Sequence, residues 1–227
     1  MRLSKLAILF FVFLWTATSQ AEERTEVHLF QYGRTNTASL QTAFKDFQDM
    51  LVEKLPKLAS ELLKMKVEIP ALSHLRLKPV LDENGELLRP EARVGSLDAE
   101  RQYWLQTGAL SVLTGHIREQ GGTTYAYSTF FWGALRGPYP DEMITIKLPL
   151  VGESFDNTSD SHSVAVLYAL AQESRHECVN AAEIVKLLSE AQKRAKAIAD
   201  DFPELAAELE AIVVAAINKI QGDCSDN

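Results

Sequence analysis

The stretch Leu105–Gly133, LQTGALSVLTGHIREQGGTTYAYSTFFWG, leaves this chain few ways to fold. Asp98–Gln106 carries a helical pattern, and Gly108 stands where a helix closes in a left-handed C-cap. Ala109–Ile117 is apolar and rich enough in β-branched residues for a largely buried strand. Gly121-Gly122 comes next, a pair without Cβ atoms that accepts the positive φ of a tight hairpin turn. Thr123–Trp132 then returns, alternating Thr, Tyr and Ala before it becomes aromatic. A β-hairpin therefore organises the middle of the chain.

The flanking segments read as follows. Glu26–Tyr32 is a first strand, followed by a helical period from Ala38 in which Leu40, Phe44, Phe47, Leu51 and Leu55 share a face. Pro56 is expected to end or kink that helix, with Leu58–Lys66 resuming as a shorter piece. Leu75–Leu81 and Glu86–Leu88 flank an Asn84-Gly85 turn, a second hairpin that Pro79 and Pro90 confine to a sheet edge. Ser96 is a candidate N-cap for the helix before the central hairpin. Met143–Leu150 alternates apolar and polar residues, a strand beside the hairpin. Gly152–Asp160 reads as a polar linker, and the remainder is helical: Ser163–Arg175, Asn180–Asp200 and Phe202–Ile220. The fold class is thus α+β, a small mixed sheet with packed helices over 22–152, followed by a helical segment over 160–224.

The last two helices are joined by only a few residues and must be antiparallel neighbours of similar length. Cys178 precedes one and Cys224 follows the other, so the geometry brings the chain's only two cysteines together as a disulfide. Two free thiols or a metal-binding pair are the alternatives.

The run Gly108–Ile117, GALSVLTGHI, with its glycine turn and tyrosine-bearing return strand, resembles a glycine-marked hairpin of bacterial envelope modules. These are the TolB amino-terminal domain and the CsgG-like and FlgO-like groups. The likeness spans about 110 residues from Val27 onward, and departs from the pattern in the Lys64–Arg93 insertion. It implies the same kind of sheet and a role in assembly, secretion or scaffolding; it implies no functional residue.

Met1–Ala21 has a basic start (Arg2, Lys5), an apolar core from Leu6 to Trp15 and a small-x-small site at Ser19–Ala21. The apolar run is shorter than the roughly 20 residues that span a bilayer, so a cleavable signal peptide is expected rather than an anchor. Glu22 rather than cysteine then follows the cleavage site, so no lipid anchor is expected. Cleavage would leave 21 basic and 31 acidic residues, a net charge of −10, which argues against nucleic-acid and anionic-membrane partners.

Candidate sites are sparse. His28, His74, His116, His162 and His176 lack metal-ligand spacing, and Asn180 stands where a His176-Glu177 zincin helix would need its second histidine. Asp160, His162 and Ser163 are triad residue types, but neighbours in sequence rarely have triad geometry, and Asp160 or Ser161 is more simply a helix cap. The glycine pair lies in a hairpin rather than before a helix, so no phosphate loop is present. No cofactor, metal or catalytic residue is assigned. Phe131, Trp132 and Tyr139 are weighed two ways, as core aromatics under the helical segment or as a rim that docks a partner. The expectation is a non-catalytic periplasmic interaction or assembly factor with an envelope protein partner. The alternatives are a periplasmic hydrolase built from dispersed His and Asp residues, and a small-ligand carrier.

Overall fold

The computed structural model describes residues 25–33, 38–69, 72, 74–88, 107, 109–131, 143–150, 155–173 and 178–224. Within them lie five strands, β1 (Glu26–Leu29), β2 (Arg76–Pro79), β3 (Ser111–Gln120), β4 (Thr123–Phe131) and β5 (Met143–Pro149). Four α-helices accompany them, α1 (Ala38–Leu62), α2 (Phe155–Glu173), α3 (Ala181–Ala197) and α4 (Pro203–Asp223). The strands form one mixed sheet in the order β2-β1-β3-β4-β5. The class is α+β, with its last helices at the C-terminal end.

The central hairpin is as its glycines demand. Gly121 and Gly122 take φ values of 61° and 79°, and Gln120 pairs with Thr123 across the turn. β5 extends the antiparallel meander. β1 runs parallel to both β2 and β3, which is possible because a crossover of more than a dozen residues, including α1, separates β1 from β2. The 75–88 segment differs in one respect from a free-standing hairpin. Gly85 does turn it, at φ 78°, and Asp82 Oδ1 accepts the Asn84 and Glu86 N–H groups. Its main pairing, however, is β2 against β1 at the sheet edge, and the return is a single Leu81–Leu87 bridge.

Pro56 neither ends nor splits α1, which runs unbroken from Ala38 to Leu62. The proline forfeits one helical N–H bond, yet Leu58, Ala59 and Leu62 beyond it are buried in the core. Burying those side chains, at about 25 cal/mol per Å² of apolar surface, outweighs the lost bond. The expected linker is also shorter than its composition implies: α2 begins at Phe155, so Asp160 and Ser161 are interior helix positions and not caps.

α1 and α2 cover one face of the sheet, and Val27, Leu29, Leu113, Ile117, Phe130, Ile144, Ile146 and Leu148 meet them there. α3 and α4 pack against the other side of α2, making it a middle layer. Its residues 161–167 are all buried, as a helix covered on both sides must be. One apolar core accordingly runs through both the sheet and the helical segment. A smaller cluster of Phe30, Ala109, Val112 and Phe131 lies on the opposite sheet face. Cys178 and Cys224 form a disulfide with Cα atoms 5.5 Å apart, joining the start of α3 to the end of α4.

Candidate functional site

The most ordered polar chemistry is sealed between the sheet and α2. The Tyr32 hydroxyl donates to Ser128 Oγ at 2.7 Å, and His162 Nε2 lies 3.0 Å from the same oxygen. His162 Nδ1 is 2.8 Å from the Thr158 carbonyl, one turn back on α2. A carbonyl only accepts, so Nδ1 carries the proton and Nε2 accepts from Ser128. The result is a directed relay, Tyr32 to Ser128 to His162 to Thr158, in which each hydroxyl or ring N–H of the chain donates once. Ser161 Oγ donates to the same carbonyl at 3.0 Å. Phe130 meets the imidazole edge-on at 5.3 Å, and Phe47 meets the Tyr32 ring at 5.6 Å.

Ser128 and His162 are completely buried and Tyr32 nearly so. Burial pushes the Tyr32 phenol well above its ordinary value, with the Ser128 bond opposing it only in part. Burial likewise holds the His162 pKa down to about 4, against the opposing pull of the Thr158 carbonyl. The serine–histidine pair has the contact distance of a nucleophile and its base, but no solvent face through which a substrate could reach it. Its effect is to tie the segment that follows β1 to β4 and α2.

A pH dependence follows from the lowered His162 value. An unfolded chain binds the proton near 6.5, whereas the folded chain refuses it until about 4, so stability is full above that window and falls as pH drops through it. Moving from neutral to about pH 5 is expected to cost roughly 2 kcal/mol. Urea unfolding across that range measures it. His162→Gln should flatten the slope, leaving the smaller contributions of His116, whose own pKa is lowered by burial and then by Arg118, and of carboxylates held low by their partners, such as Glu26 beside His28.

The triad types grouped in the sequence are parted by the helix. Asp160 and Ser163 face α3, where Arg194 Nη1 reaches Asp160 Oδ1 at 3.1 Å and Ser163 Oγ at 3.1 Å, while His162 faces the sheet. Those two bonds clamp α2 to α3, and the same guanidinium holds Glu190 of its own helix at 3.3 Å. Among the described residues no three His, Cys, Asp or Glu side chains converge as metal ligands.

The open side of the β3-β4-β5 meander carries the remaining array. His116 stacks on Tyr127 at 4.7 Å and 10° between planes. Lys147 Nζ lies 4.3 Å from the Tyr125 ring centroid and donates to Gln120 Oε1 at 3.0 Å; the Tyr127 hydroxyl donates to the same oxygen at 3.3 Å. Thr129 and Thr145 hydroxyls meet at 3.1 Å. These side chains are partly or largely solvent-facing, and a cation placed over a tyrosine is worth about 0.5–1 kcal/mol at such a site.

Of the three aromatics weighed as a docking rim, Phe131 is only 2% exposed, packed with Phe30, Ala109 and Val112 on the face opposite Phe130. Trp132 and Tyr139 lie outside the described residues, as do the Ser96 cap, the Gly108 C-cap, His176 and the segment 1–21. Sequence reading missed Tyr32, Ser128 and Gly115 as a unit. The available signal was a glycine in mid-strand, which marks close approach by another group; it did not say which. No protein-family model, curated protein or solved structure matches the chain.

Proposed function

We propose that this chain is exported to the periplasm and acts there as a non-catalytic interaction or assembly module of the cell envelope, akin to the TolB amino-terminal, CsgG-like and FlgO-like group. The observation that carries the reading is the ordered, solvent-facing array of Tyr125, Tyr127, His116 and Lys147 on the meander. Tyrosines with an apolar body and a polar tip are the side chains that partner surfaces favour. By contrast, the one serine–histidine pair described above spends its hydrogen bonds inside the core. The disulfide supports the export half of the reading, because such bonds persist in oxidising compartments. No helix among the described residues is long and apolar enough to cross a membrane.

Placing a photo-crosslinking residue at Tyr125, and as a control at the exposed Glu208 on α4, tests this in cells. An envelope protein captured from position 125 and not from 208 is the expected result. Retention of the protein in the cytosol, or equal capture from both positions, would count against it.

A further inference from the structure

Among the described residues β5 is the last strand of the sheet, and its backbone polarity can be read from the hairpin. The two-residue turn makes Gln120 and Thr123 a closing hydrogen-bonded pair, so odd-numbered β4 residues bond β3 and even-numbered ones bond β5. The Leu150 N–H donating to the Thr124 carbonyl at 2.7 Å agrees with this. On β5, then, Ile144, Ile146 and Leu148 bond β4, while the N–H and C=O groups of Met143, Thr145 and Lys147 point off the edge. Pro149 has no N–H to offer. Met143 is 40% exposed, an apolar side chain at an edge that no other described strand pairs.

We propose that β5 pairs antiparallel with β5 of a second copy, about a two-fold axis at Thr145. That register places Thr145 opposite Thr145, Met143 opposite Lys147, and Ile144 opposite Ile146 of the other copy. Every outward N–H of Met143, Thr145 and Lys147 then meets an outward carbonyl, and Pro149 falls beyond the paired span. Shifting the axis to Ile146 sets Pro149 against Met143 and loses a bond on each side, while shifting it to Lys147 sets like charges face to face. The Met143 side chain lies along the apolar stem of the opposing lysine. A two-fold axis perpendicular to the sheet keeps α2 of both copies on one face, so the apolar layer of Ile144 and Ile146 continues across the junction. The proposal is independent of the envelope role, since it rests only on the edge strand.

Sedimentation equilibrium of the exported protein up to about 1 mM tests it. A concentration-dependent dimer is expected. Met143→Glu should tighten it about fivefold and Met143→Lys weaken it by a similar factor, since each change acts on two symmetric pairs with Lys147. Thr145→Pro should give a monomer with unchanged circular dichroism, because the N–H it removes is not used within the chain. A monomer at every concentration would overturn the proposal. So would a dimer indifferent to positions 143 and 145, or one that Met143→Lys tightens. If Thr145→Pro proves unfolded, the Met143 pair alone decides.

Discussion

Gly115→Ala is expected to destabilise the protein by about 4 kcal/mol or more, enough to leave a domain of ordinary stability largely unfolded on mild heating. A Cβ at this position would sit 2.1 Å from the Tyr127 carbonyl oxygen and 2.4 Å from Tyr32 Cε1. The first is backbone and cannot swing away, and the second belongs to a ring held by the Ser128 hydroxyl and packed on Phe47. Relieving the overlap forces β3 from β4 or ejects Tyr32, which strands the Ser128–His162 pair in the core without its donor. Each outcome adds the cost of a buried unpaired polar group to the cost of overpacking. Gly121→Ala is the control. It has open space around its Cβ position and only a positive φ to strain, so about 1–2 kcal/mol is expected there. Urea midpoints of the two variants measured side by side check this; a Gly115→Ala midpoint as high as that of Gly121→Ala would refute the close-approach account.

Removing the disulfide is the second large effect. The bond closes a loop between positions 46 apart in sequence, and on the chain-entropy model it stabilises by roughly 4 kcal/mol. With a urea slope of about 2 kcal/mol per molar, the double variant Cys178→Ser, Cys224→Ser should unfold about 2 M earlier than the oxidised parent. The parent in reductant should shift towards the same midpoint. The loss falls first on the termini of α3 and α4, the outermost layer, since Cys178 and Cys224 join those ends. A midpoint untouched by either treatment would mean that packing of α3 on α4 already restrains the unfolded chain's alternatives. In a reducing compartment this layer would lack the restraint altogether, which ties the protein's stability to the compartment it occupies.

Local chemistry explains which parts were legible beforehand. The Gly121-Gly122 turn needs positive φ at two successive residues, a demand met within the dipeptide itself. The β5 alternation and the α3 and α4 periods are likewise local, and the disulfide followed because a short connection fixes two helices antiparallel. Pro56 shows where such reasoning stops. Its local preference is to break a helix, and it yielded to the burial of Leu58, Ala59 and Leu62, which depends on a sheet face distant in sequence. The Gly152–Asp160 segment misled for the same reason: a polar composition gave no sign that its latter part would be drawn into a helix covered on both sides.

Residue type, period and spacing were enough for the α+β class, the central hairpin and the cysteine pair, because each depends on forces acting over a few neighbouring residues or one short loop. The parallel pairing of β1 with β2 and β3, the burial of Phe131, and the Tyr32–Ser128–His162 relay belong to the assembled molecule. Tyr32 and Ser128 are 96 positions apart, and only the packing of the segment after β1 with β4 and α2 brings them within a hydrogen bond. No local pattern encodes that meeting, since each partner's burial is set by side chains from the other two elements.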